Sequence, residues 1–408
     1  MAALARTETY PSDKRGAYLG GTDLVTALRI YGSVIELPLL VGQQVTTLGR
    51  KGDLRVDHRY LAAVHVRFER AGGYLRAENV STDKKNPIIF EHREVAECFL
   101  QPGDQFRIGD TTYYALNDEM RLARRWVAEI LGETNDAAID DCLITAAVDP
   151  DRPVVLLGPP GGDQQRMGQA IHWASTRRRH PFREVPPTNE RGGADLQSIR
   201  DARDGTLLIW LPVKGRFDPV FVEHAVAPGA RARLIICTHA PGKVAKSFPA
   251  SVAENAKRIT IAPLTARKHE IPVLLDRWFI EHRSSLRFGA LAPKVQDKLL
   301  SYRWRKNLQE LRGAAEHLAL LAYYKSEREA ERDTTVTRSE SRAWRERLKL
   351  PLPLVPDDVV ESTDQPPLLT HDEETGLTAA LASLQAEKGR TLEQIHSDAR
   401  PRKKAKRP

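Results

Sequence analysis

The stretch VVLLGPPGGDQQRMGQAIHWAS, residues 154–175, carries the main fold signal of the second half of the chain. An apolar run enters a glycine-rich turn and then a stretch with helical spacing, the order in which strand, loop and helix bind a nucleotide's phosphates. A P-loop needs G-x-x-x-x-G-K-[ST], because backbone N–H groups surround the phosphates, the lysine contacts the β and γ oxygens, and the hydroxyl holds Mg²⁺. Here Asp163, Gln164 and Gln165 stand at the last glycine, the lysine and the Ser/Thr positions.

These replacements remove the groups that bind a nucleotide, while the strand, the glycine-rich turn and the helical stretch are kept. An aspartate beside a phosphate repels it, and a neutral amide does not replace the charge of the lysine. We therefore expect no ATP hydrolysis, no catalytic residues and no bound ATP or other cofactor. The residues of this degenerate nucleotide loop are Gly158, Gly161, Gly162, Asp163 and Gln164.

The chain on either side of the loop predicts an α/β core with a helical subdomain. The apolar runs PVVLLG, GTLLIWLP and ARLIICTH alternate with helical stretches, which is typical of a parallel sheet covered on both faces. Residues 268–324 follow with almost wholly helical spacing. We expect these residues to form a small helical subdomain.

In the first part of the chain, apolar and polar residues alternate with a different period. Residues 31–116 contain short alternating segments separated by Gly, Asn and Asp, a pattern that predicts an antiparallel β-sandwich. The segment NDEMRLARRWVAEILGE then predicts a connecting helix, with Leu122, Trp126, Ile130 and Leu131 on one face.

Composition restricts the class of protein. Hydrophobic residues make up 41% and charged residues 28% of 408, which is ordinary for a globular chain. The sequence offers no apolar run of about 20 residues and no secretory signal, so we expect a cytoplasmic protein that does not use a membrane. Cys98, Cys142 and Cys237 are widely spaced, which predicts buried thiols and no metal site.

The net charge of +8 is concentrated at the C-terminus. The last nine residues, RPRKKAKRP, carry six positive charges, which leaves +2 for the rest of the chain. Such a tail binds nucleic acid weakly and without sequence preference, or it is only solvated.

Three stretches make the first half resemble a forkhead-associated (FHA) domain, a β-sandwich whose loops bind phosphothreonine peptides. They are TTLGRKGDLRVDHRYLAAVHVRFE (46–69), YLRAENVSTDKKNP (74–87) and LQPGDQFRIGD (100–110). The resemblance implies that Arg50 binds the phosphate and that His65 supports its loop. It also implies a phosphopeptide role for Ser81 and Thr82.

The sequence departs from the FHA pattern at three positions of these loops. Ala62 replaces the serine that hydrogen-bonds the phosphate, while Asp83 and Lys84 replace Asn and Gly in the turn. A lost neutral hydroxyl costs about 1 kcal/mol, whereas a guanidinium contributes charge-assisted bonds of about 1.5–3 kcal/mol. Keeping Arg50 while losing the serine therefore predicts weakened phosphopeptide binding. The alternative is a sandwich that only mediates packing.

The second half resembles the AAA+ domain of bacterial activators of sigma-54 RNA polymerase. The resemblance rests on the loop stretch above and on DARDGTLLIWLP, ARLIICTH, ITIAPLTARKHEIPVLLDRWF and YRWRKNLQELRG. It implies that Trp210 and Leu211 stand where an Asp-Glu pair would hold Mg²⁺, and that Gln309 stands where a sensor arginine would be. Neither Trp nor Leu coordinates a hard cation. This agrees with the absence of ATPase activity expected from the loop.

The predicted fold class is therefore a multidomain chain, with an FHA-like antiparallel sandwich followed by a P-loop, AAA+-like α/β core and a helical subdomain. The predicted divisions are an FHA-like sandwich (28–118), a linker helix (119–150), a degenerate AAA+ core (151–265), a helical lid (266–325) and a charged tail (326–408).

The sequence predicts a non-enzymatic signalling adaptor or scaffold. Its expected partner is a phosphothreonine-containing protein, either a Ser/Thr kinase or a kinase substrate. Assembly into an AAA+ oligomer is left open. Two alternatives also stay open: a sigma-54-type transcription regulator without ATPase activity that reaches DNA through its basic tail, and an ATP-binding AAA+ protein.

Overall fold

The computed structural model describes residues 24–39, 43–82, 86–185, 196–211, 218–240 and 242–332, with side chains as far as residue 323. These residues form two compact units. Residues 24–158 and 163–261 belong to the first, and Pro159–Gly162 joins the chain from residue 262 onward in the second. The predicted tail lies outside the described residues from position 333 on.

The first unit begins with short strands. They are β1 (Ala27–Ile30), β2 (Glu36–Pro38), β3 (Val45–Gly49), β4 (Leu54–Arg55), β5 (Val66–Ala71), β6 (Tyr74–Asn79), β7 (Ile88–Phe90), β8 (Arg93–Val95), β9 (Glu97–Leu100), β10 (Gln105–Ile108) and β11 (Thr111–Leu116).

These strands form two sheets, with the orders β2-β1-β11-β10-β7-β8 and β4-β3-β5-β6-β9. Their pairings are antiparallel except that of β3 with β4. Phe68 and Phe106 approach from opposite sheets with ring centroids 6.0 Å apart, and Phe106 stacks on Tyr113 at 5.2 Å. The predicted antiparallel sandwich is confirmed, because alternate residues of its strands fill one core.

The stretch 119–150, predicted as one linker helix, contains two helices, α1 (Asp118–Leu131) and α2 (Asp136–Val148). The Asn117 side chain caps α1 by accepting from the Met120 N–H at 2.8 Å. The predicted apolar face is partly wrong, since Leu122 is 57% exposed while Ile130 and Leu131 are buried. The face that α1 buries runs instead through Met120, Ala123 and Val127, which are spaced three and four residues apart.

A parallel sheet completes the first unit. Its order is β13-β14-β15-β12-β16, and every pairing is parallel, which confirms the predicted α/β core. The carboxyl ends of its strands therefore lie along one edge. The elements are β12 (Val154–Leu157), α3 (Gln164–Trp173), β13 (Phe182–Val185), α4 (Gln197–Asp201), β14 (Thr206–Trp210), α5 (Pro219–Val226), β15 (Arg233–Thr238), α6 (Gly242–Ser247), α7 (Ala250–Asn255) and β16 (Lys257–Thr260).

Helix α2 joins the sandwich to the parallel sheet. Asp140 is fully buried and accepts from the Tyr114 hydroxyl of β11 at 2.8 Å and from the Gly32 N–H at 2.8 Å. Asp141 accepts from the Tyr31 hydroxyl at 2.8 Å, and its other oxygen lies 3.5 Å from Nζ of Lys257 in β16. Adjacent residues of one helix thus bind both parts of the unit.

The second unit is helical and contains α8 (Ile271–Glu281), α9 (Pro293–Ser301) and α10 (Asn307–Arg332). Its buried core includes Trp278, Phe279 and Trp304, and the Trp304 indole donates to the Leu299 carbonyl at 3.0 Å. The predicted helical composition agrees with these elements, and α10 extends past the predicted limit at residue 325. Among the described helices, none is both long and apolar enough to cross a membrane.

Candidate functional site

The turn that carries Arg50 is held tightly at the end of β3. The Arg50 N–H donates to the Ala62 carbonyl at 3.0 Å, and the Lys51 N–H donates to the Ala63 carbonyl at 2.8 Å. Gly49 permits this approach, because a Cβ there would lie 2.4 Å from the Ala63 carbonyl oxygen. The turn therefore fixes the backbone from which the Arg50 side chain extends.

Asp53 closes the same turn. Its carboxylate accepts from the N–H and the hydroxyl of Thr47, each at 2.8 Å. These hydrogen bonds hold the pKa of the Asp53 carboxyl below its ordinary value. The carboxylate is engaged within its own turn and does not pair with Arg50.

The Arg50 side chain itself is exposed. Among the described residues, its guanidinium has no hydrogen-bond or ion-pair partner. A guanidinium presents five N–H donors in a rigid fork that matches phosphate oxygens. The predicted phosphate-binding residue is therefore anchored by its backbone and available through its side chain.

His65 is 1% exposed and faces the protein interior. Its Nδ1 accepts from the Ala62 N–H at 3.1 Å, and its Nε2 donates to the Asn86 carbonyl at 2.8 Å. The two contacts require the neutral tautomer with the proton on Nε2. His65 thus contacts the loop that accepts the Arg50 N–H, and its role in phosphate binding stays a prediction.

Ser81 and Thr82 differ in environment. Ser81 is buried, and its hydroxyl donates to Oδ1 of Asn79 at 2.7 Å, while its N–H donates to the same oxygen at 3.0 Å. Thr82 is exposed. Because a serine hydroxyl has one proton, Ser81 donates to a phosphate only if its bond to Asn79 breaks. Asp83 and Lys84 lie outside the described residues.

Two asparagines at this site were missing from the sequence prediction. Asn86 donates from Nδ2 to the Tyr60 carbonyl at 3.0 Å, and Asn79 donates to the Asn86 carbonyl at 3.4 Å. A sequence signal existed for Asn79, because an asparagine two residues before a turn serine favours an Asx-turn. No local pattern indicated Asn86, whose partner Tyr60 is 26 residues away.

The glycine loop begins at the carboxyl edge of the parallel sheet. The Gly158 N–H donates to the Thr238 carbonyl at 3.2 Å, and Nδ1 of His239 donates to the Gly158 carbonyl at 2.7 Å. Gln164 is 1% exposed, and a Cβ on Gly158 would lie 2.9 Å from Nε2 of the Gln164 side chain. The Gln164 side chain, at the lysine position of the motif, thus lies against the residue that follows β12.

Asp163 precedes α3 in the left-handed conformation, with φ of 60°. Its carbonyl accepts from the Met167 N–H at 2.9 Å, but its side chain does not cap the helix. Aspartate tolerates this region of φ better than most non-glycine residues. The predicted replacement of glycine by aspartate is therefore accommodated without a change of the helix start.

Gly161 and Gly162 lie in the turn Pro159–Gly162, which belongs to the second, helical unit. Gly161 has φ of +72°, and a Cβ there would lie 2.0 Å from the Lys306 carbonyl oxygen. Its own carbonyl accepts from the Gln309 N–H at 3.1 Å, and the Gly162 N–H donates to the Pro159 carbonyl at 3.1 Å. Asn307 donates from Nδ2 to the Pro160 carbonyl at 2.8 Å. Packing against α10 accounts for the glycine at position 161.

Trp210 is the last residue of β14, at the carboxyl edge of the sheet, and Leu211 follows it. Leu211 is buried, and the Trp210 indole donates to Oε1 of Glu184 at 2.7 Å. Gln165 donates to the other oxygen of Glu184. Sequence reasoning missed Glu184, a carboxylate whose two oxygens both accept protein N–H groups. Within the described ranges, no three His, Cys, Asp or Glu side chains are grouped to hold a metal ion.

No protein-family model matches the chain. Among curated proteins, it is similar to the acetoin catabolism regulatory protein of Cupriavidus necator, with 29% identity over 224 residues that cover 45% of this chain and 33% of that protein. The chain thus spans about a third of the length of this relative.

Two solved structures are similar to parts of the chain. NtrX from Brucella abortus in complex with ATP is 19% identical, with a TM-score of 0.35, over 50% of this chain and 51% of that chain. The FHA domain of the CT664 protein from Chlamydia trachomatis is 16% identical, with a TM-score of 0.20, over 22% of this chain and 95% of that chain. An FHA domain is thus among the structures similar to this chain, as the sequence predicted.

Proposed function

We propose that this chain is a non-enzymatic signalling adaptor or scaffold that recruits a phosphothreonine-containing protein through Arg50. The observation that carries the proposal is the exposed Arg50 guanidinium, which has no partner among the described residues, on a turn held by two backbone hydrogen bonds. A phosphothreonine carries close to two negative charges and three acceptor oxygens. A preorganised fork of N–H donors is suited to that group.

The curated relative supports a signalling or regulatory role, because its name describes a regulatory protein. The proposed partner is a Ser/Thr kinase or one of its substrates, since such proteins carry phosphothreonine. The missing serine at position 62 predicts modest affinity for this partner. Weak binding suits a reversible signalling contact.

We propose further that the α/β core is a pseudo-ATPase that serves as a platform for protein contacts. Phosphoryl transfer depends on a lysine, on Mg²⁺ ligands and on positioned donors, which supply almost all of the catalysis. In this chain Gln164 is buried against Gly158, and Glu184 is occupied by Trp210 and Gln165. The groups that would meet a nucleotide are therefore engaged with one another.

A transcription regulator without ATPase activity is the second candidate, and it is considered because the curated relative is named a regulatory protein. In that case the basic residues 400–408 would contact DNA. Retention of a labelled DNA duplex by the full chain and by a chain ending at residue 399 is compared across a salt series. Retention of DNA that depends on the tail and persists above physiological salt supports this candidate. If all retention is lost at physiological salt, only nonspecific contact with phosphates remains.

The adaptor is tested by titrating the full chain with a degenerate phosphothreonine peptide library and with the unphosphorylated library. We expect phosphate-dependent binding that falls at least about tenfold in Arg50→Ala, a loss of about 1.4 kcal/mol. Arg50→Lys keeps the charge without the fork and recovers only part of the affinity. Arg93→Ala, an exposed arginine of β8, is the matched control and binds normally. Equal binding of both libraries, or no effect of Arg50→Ala, would sink the proposal.

A further inference from the structure

Three loops of the sandwich meet through a chain of hydrogen bonds that starts at Asn86. The Asn86 side chain donates to the Tyr60 carbonyl at 3.0 Å. The Asn86 carbonyl accepts from Nε2 of His65 at 2.8 Å and from Nδ2 of Asn79 at 3.4 Å. One residue thus binds both the loop before β5 and the last residue of β6.

The chain of bonds continues to the backbone of Arg50. His65, held by Asn86, accepts from the Ala62 N–H at 3.1 Å, and the Ala62 carbonyl accepts from the Arg50 N–H at 3.0 Å. Tyr60 and Ala62 belong to the same loop, so that Asn86 restrains this loop at two points. A shift at Asn86 is transmitted to Arg50 through this chain of part-buried hydrogen bonds.

The same residue restrains the turn that carries Ser81 and Thr82. Asn79 donates to the Asn86 carbonyl, and Oδ1 of Asn79 accepts from the N–H and the hydroxyl of Ser81. Since the Ser81 proton is committed to Asn79, Arg50 and the exposed Thr82 are the predicted site residues with donors left for a phosphate. The distance between Arg50 and Thr82 depends on the hydrogen bonds that connect the two loops.

We propose that Asn86 is a positioning residue for phosphate binding, which sets the distance between the Arg50 turn and the Ser81–Thr82 turn. The inference rests on the proposed phosphothreonine binding and adds a residue that does not itself touch the phosphate. Asn86→Ala removes the bond to Tyr60 and keeps the main-chain carbonyl that His65 uses. The variant therefore loosens the loops without removing a phosphate contact.

The test is a double-mutant cycle on the full chain, with the same phosphothreonine and unphosphorylated libraries as probes, measured well below the unfolding temperature. We expect Asn86→Ala to weaken phosphate-dependent binding about tenfold and to cause no further loss in the Arg50→Ala background. Asn86→Gln keeps an amide donor and restores part of the affinity. Asn255→Ala is the control, because it removes a 2.8 Å amide bond to a carbonyl on α7, far along the chain.

The outcomes separate this inference from the proposed function. If Asn86→Ala lowers the unfolding temperature and leaves the affinity unchanged, or if its effect adds fully to that of Arg50→Ala, Asn86 is only structural and the inference is overturned. If the wild-type chain binds both libraries equally, the proposed function fails and the inference fails with it. If Asn86→Ala does not fold, Asn86→Leu, which has the same branching but no amide donor for the Tyr60 carbonyl, is measured in its place with the same expectations.

Discussion

The Tyr114 hydroxyl of the sandwich lies 2.8 Å from Oδ1 of Asp140 on α2, and both residues are fully buried. Arg29 and Arg124 place guanidinium nitrogens 3.6 and 3.5 Å from the same carboxylate oxygen. A buried carboxylate is tolerated here because two cations and two hydrogen-bond donors surround it. The sandwich and α2 are therefore joined by charged groups that depend on one another.

Asp140→Ala is expected to destabilise the first unit by about 2–4 kcal/mol, because it leaves the Tyr114 hydroxyl and the Gly32 N–H without their acceptor. Arg29 and Arg124 keep Asp136 as an ion-pair partner. Urea denaturation of the full chain measures the loss. Asp141→Ala is the matched control and costs about 1 kcal/mol or less, since the Asp141 side chain is 48% exposed. Equal losses in the two variants would contradict this account of the junction.

Ala62→Ser is expected to tighten phosphothreonine binding about fivefold, because a hydroxyl at this position adds a neutral hydrogen bond of about 1 kcal/mol. Isothermal titration with a phosphothreonine peptide measures the gain. Ala63→Ser, the exposed neighbouring position, is the control and leaves the affinity unchanged. A gain in both variants would show that the hydroxyl acts through solvation of the loop and not through the phosphate.

Gln164→Lys is expected to restore no magnesium-dependent ATP hydrolysis, although it returns the lysine of the motif. Asp163 still opposes the phosphates, and Trp210 and Leu211 still provide no ligand for the cation. Phosphate release from ATP measures the activity, and the change in unfolding temperature with ATP reports binding by mass action. Turnover by Gln164→Lys that depends on magnesium would show that this lysine alone had been limiting.

His172 is expected to make stability depend on pH. Burial, together with the nearby Arg233, lowers the pKa of His172 to about 4 from 6.5, and its Nδ1 lies 2.9 Å from the Thr206 hydroxyl. The unfolded chain takes up a proton on this group below about pH 6.5, whereas the folded chain does so only near pH 4. The free energy of unfolding therefore falls by about 3 kcal/mol as the pH drops through this window.

Urea denaturation at pH 7 and pH 4.5 measures this dependence. His172→Asn removes the titrating group and should flatten the slope between the two pH values. His239→Asn is the control, because His239 is exposed. A slope that persists unchanged in His172→Asn would assign the dependence to other groups.

Local periodicity was sufficient to predict the order of the elements. The two-residue alternation of residues 31–116 reflects strands with one face in a core, and the apolar runs after residue 151 reflect strands that are covered on both faces. The glutamine at position 164, on which the expected absence of ATPase activity rests, is also visible in the sequence alone. These features depend on neighbours within a few residues along the chain.

The partners of the site residues depend on contacts between distant parts of the chain. The sequence placed Ser81 among the phosphate-binding residues, while the fold directs its proton to Asn79. It assigned Gly161 to a phosphate loop, while the fold places it against Lys306, 145 positions later in a different element. Leu122 fitted a helical face and lies exposed, because the helices that pack against α1 cover a neighbouring stripe.

The order of residues was sufficient to predict the two kinds of sheet, and it identifies Arg50 and the residues at positions 163–165 of the glycine loop. The tertiary structure decided which donors remain free, that Glu184 pairs with Trp210, and that Asn86 connects three loops. The physical reason is that strand and helix periods follow from burial of one face, which repeats along the chain. Hydrogen-bond partners follow from where strands end in space, which the order of residues alone does not specify.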